Sequence, residues 1–139
     1  MKTVTEAEGK RILMLDDLTQ ATFELEELER EFPNLVDANN NFSLVEAGLN
    51  NGVYQVVIVD PFNVINNSGT SDKFSMSSDL VKRIKEKCKM VIVADSGISP
   101  TGDLGLTQGV DFDFHHTKPY NTRLLIDQVR ELYQSTKRS

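Results

Sequence analysis

The sequence predicts an α/β protein in which a doubly wound, five-stranded parallel sheet carries helices on both faces. The first observation is a set of short, continuous apolar runs, of which Ile12 to Leu15 and Val56 to Val59 are the clearest. Runs that are apolar at every position are typical of strands buried on both faces of a sheet. The second observation is that amphipathic, helix-like segments alternate with these runs, and such alternation favours parallel strands joined by right-handed crossovers.

The first half of the chain is predicted to form three strands and two helices. The predicted strands cover 11–15, 35–38 and 53–59, and the middle one is the weakest. Apolar residues recur at spacings of four, three and four from Ala21 to Phe32, which predicts an amphipathic helix that ends before Pro33. A second helix is predicted over 42–49, closed by the sequence Asn50-Asn51-Gly52.

The second half begins with a polar stretch over 63–78, which predicts a long loop. The next segments are a helix whose apolar side includes Leu80 and Cys88, a strand over 90–93, a strand over 110–116 and a final helix. The segment 98–109 stays ambiguous, because its proline and glycines weaken a helix there. Five strands in this arrangement match the flavodoxin-like fold, whose strand order is 2-1-3-4-5.

Length and charge limit the classes of function. The chain has 139 residues, which suits a polar lead over 1–9 and a single domain over 10–137. Its formal net charge of -6 argues against direct nucleic-acid binding and against an anionic membrane surface, because both need a basic field. No apolar run is long enough for a membrane span or a signal peptide. A single cysteine suits a reducing compartment, so we expect a cytoplasmic protein.

Acidic residues follow the predicted strands at the edge where doubly wound folds bind their ligands. Asp16 and Asp17 end the first strand, Asp60 ends the third, and Lys118 follows the fifth. Carboxylates that converge there repel one another unless a cation lies among them, and Mg²⁺ suits oxygen ligands. A carboxylate beside Mg²⁺ and an ammonium group is equipped to accept a phosphoryl group. Each residue alone also has an ordinary interpretation, as a helix cap, a turn former or an exposed lysine.

Taken together, the acid pair, the lone acid and the sequence Thr117-Lys118-Pro119 resemble the receiver domain of two-component response regulators. The resemblance extends from Lys10 to Lys137. It implies that Asp60 is the phosphoryl acceptor and that Lys118 pairs first with its carboxylate and then with the phosphoryl group. It also implies one cofactor, Mg²⁺, held by Asp16, Asp17, Asp60 and the backbone carbonyl of Phe62.

The sequence departs from the receiver pattern at three places. Ala94 stands where the family has a serine or threonine that captures the phosphoryl oxygen, and Ser96 substitutes for it only if the register shifts by two residues. His115 takes the place of the switch aromatic. Pro61 directly follows the acceptor, and the polar loop behind it is longer than usual.

Two functions remain open at this point. The first is a phosphorylation-dependent switch that takes its phosphoryl group from a histidine kinase or phosphotransfer protein and signals by contact with a downstream protein. The resemblance places that contact, and a homodimer, on the fifth strand and the helices on either side of it. Such a protein catalyses only its own phosphorylation and dephosphorylation, and we expect no other enzymatic activity. The alternative is a pseudo-receiver, a phosphorylation-independent interaction module. A flavin- or nucleotide-binding protein is disfavoured, because acids rather than a glycine-rich loop follow the first strand.

Overall fold

The five strands form one parallel sheet, as predicted. The computed structural model describes residues 10–19, 21–60, 64, 77–88, 90–95, 113–117 and 121–138. The strands are β1 (Ile12–Leu15), β2 (Val36–Asn39), β3 (Val56–Val59), β4 (Val91–Asp95) and β5 (Phe114–Thr117). Their order is β2-β1-β3-β4-β5 and every pair is parallel, so the predicted strand order is confirmed.

Helices cover both faces of this sheet. Within the described residues they are α1 (Thr22–Glu31), α2 (Phe42–Asn50), α3 (Ser77–Lys87) and α4 (Thr122–Arg138). Alternate residues of β1 enter two separate cores: Leu13 and Leu15 pack with α2 and α3, whereas Ile12 and Met14 pack with α1 and α4. This division explains why the strands are apolar throughout, because a polar side chain on either face would lie in a core.

The end of α2 is held by backbone geometry that needs a glycine. Gly52 has a φ of 69°, a left-handed conformation that glycine adopts at little cost. Its N–H donates to the carbonyl of Leu49 at 3.1 Å, and the N–H of Val53 donates to the carbonyl of Gly48 at 3.0 Å. These two bonds form a Schellman motif, so the helix ends where the sequence predicted.

Several boundaries differ from the predicted ones. β3 begins at Val56 rather than at 53, because a turn at Asn51 and Gly52 places the chain before it outside the sheet ladder. α3 begins at Ser77, so the last two residues of the predicted loop are helical. β5 includes Thr117, whereas the predicted positions 110–112 and the ambiguous segment 98–109 lie outside the described residues.

No helix in the described parts of the chain is long and apolar enough to cross a membrane.

Candidate functional site

Two buried carboxylates lie side by side at the carboxyl edge of the sheet. Leu15 and Val59 are register partners in β1 and β3, so the residues that follow them, Asp16 and Asp60, leave the sheet at the same level. The N–H of Asp60 donates to the carbonyl of Leu15 at 2.9 Å, which fastens the two strand ends together. Both aspartates are 0% exposed. The central strands therefore place two acids in the interior at one point.

The third acid, Asp17, starts the loop that leads to α1. It is half-buried, and its N–H donates to Oδ1 of Asp16 at 2.6 Å. Its own Oδ1 accepts hydrogen bonds from the N–H of Thr19 at 3.0 Å and from the Thr19 hydroxyl at 2.7 Å. Its carbonyl accepts the N–H of Ala21 just before the helix. Asp17 thus organises the turn into α1 beside the buried pair.

The chemistry of this donor set fits a small hard cation. Two ionised carboxylates that are withdrawn from water destabilise the fold unless positive charge compensates them. In the described part of the chain, no group of three or more His, Cys, Asp or Glu side chains is placed to hold a metal ion. Mg²⁺ does not need such a group, because it binds through one or two carboxylates and keeps several waters. Asp16 and Asp60 supply that number.

β4 brings Ala94 to the level of the proposed acceptor. Val59 is the register partner of Val93, so the next residues along the two strands, Asp60 and Ala94, are neighbours at the edge of the sheet. β4 ends at Asp95, one residue before Ser96. The residue level with Asp60 is therefore an alanine, which has no hydroxyl group. Ser96, Phe62 and Lys118 lie outside the described residues.

The two histidines of β5 face opposite sides of the sheet. His116 is 5% exposed, and its Nε2 is hydrogen-bonded to Oε1 of Gln128 in α4. Because side chains alternate along a strand, His115 faces the α2 and α3 side, where it is half-buried. The proposed switch residue and the residue that contacts the last helix are thus different histidines. Nothing in the sequence indicates that Gln128 forms a hydrogen bond with a histidine.

Sequence reasoning also missed a polar contact beneath α2. The hydroxyl of Tyr54 donates to Oδ2 of Asp37 in β2 at 2.5 Å, and the tyrosine is 4% exposed. Burial, followed by the Asp37 carboxylate, raises the pKa of Tyr54 well above its ordinary value. The tyrosine ring leaves room only for glycine at position 48, where a Cβ atom would lie 2.9 Å from Cε2 of the ring.

A groove lies between α1 and α4. Its volume is about 290 Å³, and its apolar lining includes Phe23 and Ile126. Phe23 is 60% exposed, which is unusual for so large an apolar side chain. Arg130 spans the two helices, paired with Glu31 of α1 and at 3.1 Å with Asp127 of its own helix. The groove therefore has an aromatic surface and a rim of mixed charge.

Several solved structures that resemble this chain are response regulators or their receiver domains. A CheY-like receiver domain protein from Methanospirillum hungatei aligns with a TM-score of 0.64 and 19% identity, covering 94% of this chain and 98% of its own. An orphan response regulator of H. pylori aligns with a TM-score of 0.62 and 19% identity, covering 90% of this chain and 97% of its own. The chain therefore has the receiver fold.

A further similar structure is described as a family of redox sensors in the streptococci that evolved from two-component response regulators. It aligns with a TM-score of 0.65 and 18% identity over 93% of this chain and 53% of its own. The sequence itself matches no protein-family model and no curated protein. At these identities, the likeness establishes the fold, and the function has to be argued from the site.

Proposed function

We propose that this chain is a signalling receiver that accepts a phosphoryl group on Asp60. The observation that carries the proposal is the pair of fully buried carboxylates, Asp16 and Asp60, on adjacent strand ends of a receiver fold. Two acids in that position need compensating positive charge. Their presence is expected where a cation and a transferred group complete the site.

In the proposed reaction, a carboxylate oxygen of Asp60 attacks the phosphorus of a phosphohistidine. The O–P bond forms as the P–N bond breaks, and the bonding electrons return to the imidazole nitrogen. Water later attacks the same phosphorus, which releases inorganic phosphate and restores the carboxylate. The chain catalyses only these two steps on itself, and no other substrate is involved.

Asp16 and Asp60, with the backbone carbonyl of Phe62, would hold the Mg²⁺, and Asp17 would support them from the adjoining turn, where its Oδ1 accepts two hydrogen bonds from Thr19. When bound, the ion neutralises charge on the oxygens of the transferring phosphoryl group. The residues themselves have separate tasks. Oδ1 of Asp16 is fixed by the hydrogen bond that it accepts from the N–H of Asp17. Asp60 is the nucleophile, and we assign Lys118 to pair with the acceptor and then with the phosphoryl group.

The groove between α1 and α4 is the surface that we assign to the phosphoryl donor, a histidine kinase or phosphotransfer protein. α1 begins five residues after Asp17 and α4 begins four after Lys118, so both helices start beside the site. Phe23→Ser should slow transfer from such a donor several-fold. It should leave phosphorylation by the small donor acetyl phosphate unchanged, and equal loss with both donors would contradict this assignment.

The central proposal is tested by intact mass. The protein is incubated with acetyl phosphate and Mg²⁺, beside an Asp60→Asn variant and beside a sample containing EDTA. One phosphoryl adduct should appear on the wild type alone, and only with the metal present. If the wild type gains no adduct, and if Mg²⁺ with beryllofluoride leaves its melting temperature unchanged, the phosphorylation proposal fails.

A pseudo-receiver is the second candidate, and Ala94 is the observation that favours it. An alanine level with Asp60 offers no hydroxyl to capture a phosphoryl oxygen, which breaks the usual link between the site and a distant surface. The name of one similar structure, redox sensors evolved from two-component response regulators, indicates that this fold also serves other inputs. An unchanged amide spectrum around His115 after phosphorylation supports this candidate. A shifted spectrum supports the switch, with output to a cytoplasmic protein target.

A further inference from the structure

The pair Asn51-Gly52 lies at the exposed end of α2, and it combines two chemical features. Asn51 carries a side-chain amide, and the next residue has no Cβ to hinder its backbone nitrogen. Both residues are exposed, and apart from Gly52 and its two chain neighbours no heavy atom lies within 4 Å of the place where a Cβ of Gly52 would be. The side of Gly52 on which a side chain would stand is therefore open.

The reaction open to such a pair is deamidation, and its atoms balance with water as the only co-reactant. The Gly52 nitrogen loses its proton and attacks Cγ of Asn51, and ammonia leaves as a five-membered succinimide ring closes. Water then opens the ring at one of its two carbonyls. The products are aspartate, or isoaspartate with the main chain rerouted through the former side chain.

The helix end opposes this reaction by geometry. Asn51 has a ψ of 4°, so the Gly52 nitrogen nearly eclipses the nitrogen of Asn51 rather than its Cβ. Closing the ring requires the opposite arrangement, with the Gly52 nitrogen eclipsing Cβ. The chain must therefore rotate about ψ of Asn51 by roughly a third of a turn, because the substituents of a tetrahedral carbon are that far apart.

The same rotation breaks the hydrogen bonds of the Schellman motif. The attacking N–H of Gly52 donates to Leu49, and the N–H of Val53 donates to Gly48. The N–H of Asn51 itself donates to the carbonyl of Ala47 at 3.0 Å. An attack is possible only in molecules whose helix end has opened, and the population of such molecules is set by local stability.

We propose that Asn51 is a site of spontaneous deamidation whose rate is controlled by opening of the C-terminal end of α2. Both products hinder the helix end from closing again. Aspartate places a negative charge at the negative end of the helix dipole, where the last turn of α2 has no basic residue. Isoaspartate adds a main-chain carbon and removes the spacing that the Schellman bonds require. Each opening that leads to deamidation therefore leaves a permanent chemical change at residue 51.

The test measures deamidation at residue 51 by peptide mapping after incubation at mildly alkaline pH, for native protein and for protein unfolded in concentrated urea. The native protein should react at least about tenfold more slowly, since two net hydrogen bonds oppose opening. Val53→Pro removes one of those N–H donors and should accelerate the native reaction. Asn51→Gln is the matched control, because its longer side chain would have to close a six-membered ring, which forms far more slowly, and residue 51 should stay unmodified.

Equal rates in native and unfolded protein would overturn the proposal, because the helix end then gives no protection. Absence of reaction at residue 51 in urea would overturn it as well. If Val53→Pro does not fold, graded subdenaturing urea on the wild type replaces it. A rate that rises with urea before the global transition supports control by local opening, and a rate that rises only with global unfolding contradicts it.

Discussion

Removing one of the two buried carboxylates should stabilise the protein when no divalent cation is present. In Asp60→Asn, an amide of nearly the same shape replaces the acid, so packing is retained and one charge is lost. Asp16 and Asp60 follow register partners on adjacent strands, which are about 4.8 Å apart. Two unit charges about 5 Å apart, the closest approach that this spacing favours, would repel by about 3 kcal/mol at an effective dielectric constant of about 20, which is an upper limit. The Lys118 ammonium that we assign to Asp60 and neighbouring polar groups offset part of this, so we expect a net gain of about 1 kcal/mol.

The assay is urea unfolding in EDTA, followed by the same measurement in Mg²⁺. At a concentration about 100-fold above its Kd, Mg²⁺ should stabilise the wild type by about 2.7 kcal/mol and should stabilise Asp60→Asn far less. Glu131→Gln is the matched control, because it makes the same acid-to-amide change at an exposed position and should alter stability by less than about 0.5 kcal/mol. The reasoning is refuted if Asp60→Asn is no more stable than the wild type in EDTA, or if both proteins gain equally from Mg²⁺.

Two further predictions concern the packing beneath α2. Tyr54→Phe keeps the buried ring but removes the hydrogen bond to Asp37, and it should lower the free energy of unfolding by about 1.5–3 kcal/mol in urea denaturation. Because the folded-state pKa of Tyr54 is raised, the free energy of unfolding of the wild type should decline as pH rises above about 10. Tyr54→Phe should show a shallower decline. If the two proteins lose stability in parallel with pH, ionisation of this phenol does not cause the decline. Gly48→Ala should cost about 1–3 kcal/mol, since its Cβ would meet the ring at 2.9 Å. Ala47→Gly, at an exposed position of the same helix, provides the contrast: it should cost only about 1 kcal/mol, and a smaller loss for Gly48→Ala than for this control would mean that the ring moves freely.

The strands and the buried acid pair were predictable because both depend on a simple physical rule. A run such as Ile12 to Leu15 has no polar face, so it has to lie in a parallel sheet between helices. Once the sheet is parallel, residues such as Asp16 and Asp60 have to emerge at one edge. Neither step requires knowledge of side-chain rotamers. The same rule placed Ala94 near the acceptor, and the register of β4 puts it level with Asp60.

The missed features depend on three-dimensional contacts that leave no periodic signal. The hydrogen bond between Tyr54 and Asp37 joins residues that are 17 positions apart, and nothing in the local pattern marks either as a partner. The start of α3 at Ser77 could not be predicted, because the polar residues that favour a first helical turn also favour loops. That one of the two adjacent histidines packs under the last helix could be considered from the sequence, but which of them does so depends on the exact phase of β5, and His116 is the one.

The bond between Tyr54 and Asp37 ties an outer strand to a segment that is not its neighbour. β2 lies at the edge of the sheet and pairs with β1 alone, whereas Tyr54 precedes β3 on the far side of β1. The other oxygen of Asp37 accepts the N–H of Ala38 at 2.9 Å, so one carboxylate serves both the strand and the tyrosine. To separate β2 from the sheet, a pulling force therefore has to break both its pairing with β1 and the hydrogen bond to Tyr54. We therefore expect β2 to detach only together with the segment around Tyr54.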